Sequence, residues 1–349
     1  MKAAVLFDLN SPLEVIELST PSPQEGQVLV KMSYSGICHT QLLEIAGKNA
    51  SGPMNPNLLG HEGSGIVEKI GKNIKKVKIG DKVILSWIKG SGMNVLPQKQ
   101  IYDGKTLNVG FITTFNEYCI ASENRVTKMP NKMPLKEAAL IGCAVATGLG
   151  AVLNNAKVQE NKSVMVFGAG GVGINMINGA KLCNANPIIA IDINNKKLEF
   201  AKKFGATYLI NSKKQDIQEE IKKIAPNGID YSFDTVGKKE TMELCYNLTN
   251  KFTGKTVLCG VPNPLGLKIE IDPFPLYYGR QIAGTGGGES KPDIDFEKYC
   301  NLFMDGKLNL TEMITHVISL KDINKGIELM KEGKCCRVLI DFENGKLKK

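Results

Sequence analysis

The sequence predicts an α/β protein made of a β-rich domain and a doubly wound parallel-sheet domain, and three observations point there. Residues 1–122 are punctuated by Gly and Pro and carry short β-branched runs at 27–32, 65–70 and 82–86, the mark of short twisted strands joined by turns. After about residue 151, short apolar runs at 163–168, 187–192, 229–234 and 255–261 alternate with segments of helical spacing, a pattern that specifies parallel strands with helices packed on them. A glycine-rich turn at 168–173 sits where the first of those strands meets the first helix. The length of 349 residues accommodates two or three domains. The expected division is 1–150 with 286–349 for the β-rich domain, and 151–285 for the parallel-sheet domain.

The opening run, MKAAVLFDLN, lacks a basic stretch followed by an apolar core and a small-residue cleavage site, so it reads as a first strand of the mature protein. In the second domain, Leu198, Ala201 and Phe204 recur every third residue while Lys196, Lys197, Lys202 and Lys203 fall on other faces. That stripe predicts a helix packed on the sheet, with Gly205 as its stop. Beyond 286 the pattern loosens into helical stretches at 296–304 and 323–331 and a final strand at 337–342. Four glycines within 284–288 make that segment a candidate hinge.

Hydrophobic residues make up 42% and charged residues 23%, which suits a chain with a large buried core and excludes a disordered one. Lys and Arg number 44 against 35 acids, a formal charge of +9. The basic residues are interspersed with acids on helix faces and in the Lys346, Lys348 and Lys349 tail, so a solvated surface is expected rather than a nucleic-acid stripe. No uncharged apolar stretch approaches the roughly 18 residues of a membrane span. The nine cysteines are odd in number and scattered, which argues for reduced thiols or metal ligands and a cytoplasmic protein.

Residues 164–173 read VMVFGAGGVG, so a strand runs into Gly168, Gly170, Gly171, Val172 and Gly173 and then a helix. Gly168 permits the tight turn, Gly170 lets the backbone approach a pyrophosphate, and Gly173 lets the helix pack closely on the strand. The phosphates would lie at the helix N-terminus, where free N–H groups and the helix dipole favour negative charge. Asp192 ends the next strand, 19 residues after Gly173, and its carboxylate can accept from ribose hydroxyls while repelling a 2′-phosphate. NAD is therefore expected over NADP.

Two of the three histidines lie in dense polar clusters, Cys38-His39-Thr40 and Gly60-His61-Glu62-Gly63-Ser64-Gly65, and Cys143 follows in Ile141-Gly142-Cys143. Cys38, His61 and Cys143, with Glu62 beside the histidine, form a donor set suited to zinc, which prefers thiolate and imidazole in tetrahedral geometry. Three protein ligands leave one position open for a substrate.

These motifs resemble those of the zinc-dependent medium-chain alcohol dehydrogenases, because the Gly60-His61-Glu62-x-x-Gly65 run continues to Gly71 and Ile74 in that family's spacing. The resemblance runs over nearly the whole chain. It implies a GroES-like catalytic domain, a Rossmann NAD-binding domain, and reversible hydride transfer between an alcohol and NAD to give an aldehyde or ketone. It further implies that Cys38, His61 and Cys143 bind one catalytic zinc, that Glu62 coordinates it transiently, and that Thr40 takes the substrate proton. His39 and Arg337 would meet the cofactor phosphates, Lys197 the adenosine ribose, and Thr147, Val172 and Val261 the nicotinamide. Trp87, the only tryptophan, would wall the substrate pocket. Its alternative reading is a core aromatic at a strand end. Relatives of this kind are homodimers or homotetramers.

Three positions depart from the family. No cysteine occurs between Cys38 and Cys119, so no structural zinc is expected and residues 91–110 should form a differently packed lobe. Gln41 stands where the family carries an Asp that supports the histidine ligand. Leu43 stands where many members carry a histidine that hands the proton to solvent, so the relay would end at the cofactor ribose or at water. His316 should satisfy a local hydrogen bond, and Cys119, Cys183, Cys245, Cys259 and Cys300 read as small buried hydrophobes. Other readings remain open from sequence: a zinc-using dehydrogenase of a polyol, amino sugar or other functionalised alcohol, a zinc-free enone or quinone reductase, and a non-enzymatic NAD- or RNA-binding protein.

Overall fold

The computed structural model describes residues 1–48 and 55–343, so the Lys346, Lys348 and Lys349 tail lies outside the described residues. The chain divides into two compact units, Met1–Cys143 with Lys291–Lys349, and Ala144–Ser290. The boundaries differ from the expected ones because residues 144–150 and 286–290 pack with the second unit. The helix Ala146–Gly150 lies against the helix Gly171–Leu182. They meet at Gly148, where a Cβ would fall 2.4 Å from the Asn175 Cβ, and Ser290 Oγ donates to the Ala146 carbonyl at 2.8 Å.

The first unit is built on the 11-residue strand Gln27–Ile37, which pairs with Glu62–Ile70, Tyr118–Ser122 and Arg337–Asp341. Lys82–Ser86 and Val126–Lys128 extend the sheet beyond Glu62–Ile70, and Ile314–Ile318 extends it beyond Arg337–Asp341. A smaller sheet joins Glu14–Glu17, Lys2–Leu6 and Asn57–Leu58, so the opening run is a strand as its sequence predicts. The motif glycines answer to close backbone approach. A Cβ at Gly65 would lie 2.2 Å from the Lys31 carbonyl oxygen, and one at Gly71 only 1.7 Å from that of Gln24. Val28, Val30 and Met32 pack with Val67, Val83 and Leu85 to form one core of this unit, while Ile323 and Ile327 pack on Ile37, Val338 and Ile340 to form another.

The second unit holds a six-stranded parallel sheet in the order Tyr208–Asn211, Ile188–Asp192, Val164–Phe167, Tyr231–Asp234, Lys255–Leu258, Gln281–Gly284. Numbered along the chain, that order is third, second, first, fourth, fifth, sixth, the doubly wound arrangement that binds dinucleotides where the order reverses. The helix Asn195–Phe204 buries Leu198, Ala201 and Phe204 on the sheet, takes an N-cap bond from Lys196 N–H to the Asn194 side chain, and stops at Gly205 with φ of 121°. Within the glycine run at 284–288, packing accounts for Gly288. Gly288, at φ of 67°, abuts the Ala146 carbonyl so closely that a Cβ would come within 2.5 Å of its oxygen.

Candidate metal centre and dinucleotide loop

Cys38 follows the last residue of the central strand and caps the helix His39–Ile45. Its N–H donates to Gln41 Oε1 at 2.9 Å, a reciprocal cap that fixes where the thiol projects. His61 sits at the mouth of Glu62–Ile70, after Gly60, whose φ of 91° and contact with Thr114 admit no side chain. Cys143 is carried by the wide-turn helical segment Ile141–Val145, which Ser86 Oγ ties down by donating to the Gly142 carbonyl at 2.5 Å. Three elements remote in sequence thereby converge. The ligand atoms of Cys38, His61 and Cys143 lie within 4.8 Å of one another, and His61 Nε2 is 3.2 Å from Cys143 Sγ.

The electrostatics suit a cation there. A hydrogen bond from Cys143 holds the Cys38 thiol well below its ordinary range against the opposing effect of burial, and His61 adds to the lowering. The same bond, with burial, pushes Cys143 up. Two neighbouring thiols driven apart in this way suit a cation that binds both as thiolates. Burial opposes charge on His61, but its hydrogen bond with Cys38 and the charges of Cys38, Glu62 and Glu44 outweigh that and raise it. Two thiols and an imidazole form the donor set zinc favours, so the residues present fit the metal.

Glu62 is fully buried beside this trio, and its carboxylate fills the space that a Cβ at Gly36 would take, 2.3 Å away. Arg337, expected at the cofactor phosphates, is 3% exposed in the structure. Its Nη1 lies 3.5 Å from Glu62 Oε1 and donates to the Ile37 carbonyl at 3.2 Å. Thr40 Oγ1 stands 3.8 Å from Cys38 Sγ, His39 is exposed, and Leu43 is half-buried. Trp87 follows the strand Lys82–Ser86 with 38% of its surface exposed, so it is not a core aromatic. Cys183 and Cys259 are half-buried rather than buried, because both lie just past the end of a regular element. His316 Nδ1 pairs with Thr315 Oγ1 at 3.0 Å, the local bond expected of it.

Gln41 was visible as a departure from the family pattern, but its contacts were not. Its Nε2 lies 2.8 Å from His61 Nδ1 and donates to Glu44 Oε2 at 3.1 Å. Glutamine and glutamate three residues apart on a short helix share a face, and that spacing was the available signal.

In the second unit, Gly168 leaves the strand Val164–Phe167 at φ of 92°, and Gly173 lies so near it that a Cβ would be 1.8 Å from the Gly168 carbonyl oxygen. At Gly170 a Cβ would meet nothing within 4 Å, so open space remains over the turn. Gly171 begins the 12-residue helix and the half-buried Val172 follows, which puts free backbone N–H groups at that space. Asp192 is already oriented, Oδ2 accepting from Ala169 N–H at 2.8 Å and Oδ1 from Asn194 N–H at 2.9 Å. A bare cradle ahead of a helix N-terminus and a carboxylate at the neighbouring strand end fit a dinucleotide. Lys197 is half-buried on Asn195–Phe204, Val261 is exposed beyond Lys255–Leu258, and Thr147 is buried in Ala146–Gly150.

Comparison with known proteins bears on the family. Residues 24–131 match the alcohol dehydrogenase GroES-like domain, and residues 171–303 match the zinc-binding dehydrogenase family. An S-(hydroxymethyl)glutathione dehydrogenase of Synechocystis sp. is 35% identical, with 98% of this chain and 99% of that protein covered. A class-3 alcohol dehydrogenase of Cereibacter sphaeroides is 33% identical over 98% of this chain and 99% of its own length. The crystal structure of benzyl alcohol dehydrogenase from Acinetobacter calcoaceticus superposes with a TM-score of 0.88 at 30% identity, covering 98% of this chain and 99% of that one. Sequence likeness from end to end and a matching fold lead to one conclusion: the chain belongs to the zinc-dependent medium-chain alcohol dehydrogenases.

Proposed function

We propose that the protein is an NAD-linked, zinc-dependent alcohol dehydrogenase that interconverts an alcohol and NAD with an aldehyde or ketone, NADH and a proton. The observation that carries this is the convergence of Cys38, His61 and Cys143 within 4.8 Å. Bound there, zinc supplies Lewis acidity that lowers the pKa of an alcohol, and NAD supplies the hydride acceptor.

The chain's own residues do the rest. Thr40, whose hydroxyl lies beside Cys38, accepts the hydrogen bond of the substrate hydroxyl and orients its proton for removal. Leu43 offers no acceptor where many family members carry a histidine, so the proton would pass to the cofactor ribose or to water. Glu62, balanced by Arg337, sets a carboxylate next to His61 without leaving a buried charge unpaired. Gly168, Gly170 and Gly173 with the helix Gly171–Leu182 would hold the pyrophosphate, and Asp192 and Lys197 the adenosine ribose. Thr147, Val172 and Val261 would serve the nicotinamide, and His39 and Arg337 would be the imidazole and cationic groups offered to phosphate. Trp87 would give the substrate pocket an apolar wall, which favours an aromatic alcohol of the kind that names the Acinetobacter relative.

One zinc per chain is proposed, with no structural zinc. The start of the 91–110 segment is held by carboxylates: Glu123 accepts from the N–H groups of Lys75, Lys76 and Met93, and Asp293 accepts from Ser91 N–H and pairs with Lys76. A homodimer or homotetramer is supported by exposed Phe274, Tyr277 and Tyr278, which lie close in sequence to the sheet's edge strand Gln281–Gly284, and by exposed Phe252, whose ring meets that of Tyr278 edge-on. A cytoplasmic setting is supported by free cysteines. Among the described residues no helix is long and apolar enough to cross a membrane.

The test is NADH formation across primary and secondary alcohols, benzyl alcohol, S-(hydroxymethyl)glutathione, polyols and amino sugars, with NAD and NADP in parallel. Turnover of at least one alcohol with NAD preferred is expected. No alcohol oxidised with either cofactor by the zinc-loaded protein would refute the assignment.

A further inference from the structure

We propose that Arg125, beneath the Phe111 ring where the 91–110 segment ends, is an anion-binding residue that receives the carboxylate or phosphate group of a small molecule. The proposal does not rest on the zinc or NAD assignments.

Arginine occurs only three times in the sequence, although Lys and Arg together number 44. All three are buried: Arg125 is 6% exposed, Arg280 5% and Arg337 3%. Two of them have acceptors. Arg280 donates to the Thr249 hydroxyl at 2.9 Å and to the carbonyls of Thr249 and Tyr246, with the Tyr246 ring 4.0 Å from its guanidinium carbon. Arg337 has the Glu62 carboxylate and the Ile37 carbonyl. Arg125 has neither kind of partner. Among the described residues its side chain meets no hydrogen-bond acceptor and no carboxylate, Nε is sealed from solvent, and its one polar contact is the face of the Phe111 ring, 5.5 Å away. Burial alone acts on its pKa and lowers it, whereas Glu62 outweighs burial at Arg337. A guanidinium carries five donors and a permanent charge, so holding it out of water without an acceptor is costly.

The surrounding chain does not offer the missing partner. Glu123, the nearest acid in sequence, spends its carboxylate on the N–H groups of Lys75, Lys76 and Met93. The backbone is pinned on both sides of Arg125. Asn124 N–H donates to the Met93 carbonyl at 3.2 Å and its Nδ2 to Asn94 Oδ1 at 3.1 Å, while Val126 pairs with Leu85 in the sheet. Phe111 is 48% exposed, so the guanidinium lies directly under a surface ring. An aromatic ring over one face of a guanidinium leaves its edge for a ligand. That edge is a planar fork matched to two oxygens of a carboxylate or a phosphate.

The experiment is thermal unfolding of the full-length, zinc-loaded protein at fixed ionic strength, with chloride exchanged for acetate or for inorganic phosphate. Saturating NADH keeps phosphate off the glycine loop. Wild type should show a saturable rise in melting temperature of about 1–3 °C with at least one anion, and the arm that gives it names the ligand chemistry. Arg125→Gln should lose the rise. Arg125→Lys keeps the charge without the fork and should need several-fold more anion for the same rise. In chloride alone Arg125→Gln should melt no lower than wild type, because it removes a buried charge that has no partner. The order of the two proteins therefore reverses on adding the anion. A purely structural arginine would instead give a variant that melts lower by the same margin in every buffer, and a general salting effect of phosphate would raise all three proteins alike. Either of those results, or no saturable rise of the wild type with acetate or phosphate, would overturn the inference.

Discussion

The guanidinium of Arg337 and the carboxylate of Glu62 form a buried ion pair, 3.5 Å apart, at the edge of the metal centre. Burial works against charge on Arg337, but Glu62, Cys38 and Cys143 outweigh it and raise its pKa further. Removing one partner of such a pair strands the other's charge away from water. Arg337→Leu should therefore destabilise folding by roughly 3–5 kcal/mol, read by denaturant unfolding. Arg337→Lys should lose less. If NAD binding to Arg337→Lys, measured by fluorescence titration, equals wild type, the proposed phosphate contact of Arg337 is excluded and its role lies wholly at Glu62.

Two glycines of the nucleotide loop should fail in different ways. Gly173→Ala drives a methyl group into the Gly168 carbonyl, so both stability and NAD binding should fall. Gly170→Ala places its methyl where no protein atom lies within 4 Å, so the melting temperature should stay within a degree or two of wild type. NAD affinity should still drop by at least about tenfold, because the backbone can no longer approach the pyrophosphate. Unchanged NAD affinity in Gly170→Ala would place the cofactor elsewhere.

Glu123 should matter to the lobe at 91–110 in a pH-dependent way. Burial opposes its charge, but the N–H groups of Lys75, Met93 and Lys76 outweigh that and hold its pKa below the ordinary carboxylate value. The sign follows from linkage. The folded state favours the ionised form, so this stabilisation is complete above the unfolded pKa and disappears as pH falls through the folded one. Glu123→Gln should cost about 2–3 kcal/mol near neutrality. The gap to wild type in melting temperature should narrow steadily on acidification. A gap independent of pH would show that packing, not the carboxylate, holds the lobe.

Leu43 leaves no proton acceptor at the position where many family members carry a histidine. Turnover limited by proton transfer should rise with the concentration of small buffer bases such as imidazole at fixed pH and ionic strength. Leu43→His should remove most of that dependence. Identical buffer plots for the two proteins would count against Thr40 as the proton's first stop.

Much of this was legible in the sequence because it is local. The stripe Leu198, Ala201 and Phe204, the stop at Gly205 and the fingerprint from Gly168 to Gly173 each record a contact within one turn or between consecutive elements. The metal residues were legible as donor types, and family spacing joined them. What escaped were pairings across sequence. Arg337 meets Glu62 only because Arg337–Asp341 is laid beside Gln27–Ile37, and Gln41 meets His61 only because two separate elements converge. The domain boundary shifted for a related reason, since Gly148 shows its purpose only against Asn175.

The most direct test is zinc stoichiometry with turnover, measured on the same samples of wild type and Cys38→Ser. About one zinc per wild-type chain is predicted, with activity lost on chelation and regained on adding zinc, and little of either in Cys38→Ser. A Cys38→Ser protein with full zinc and full alcohol oxidation, or a zinc-free wild type that turns over at the same rate, would contradict the account.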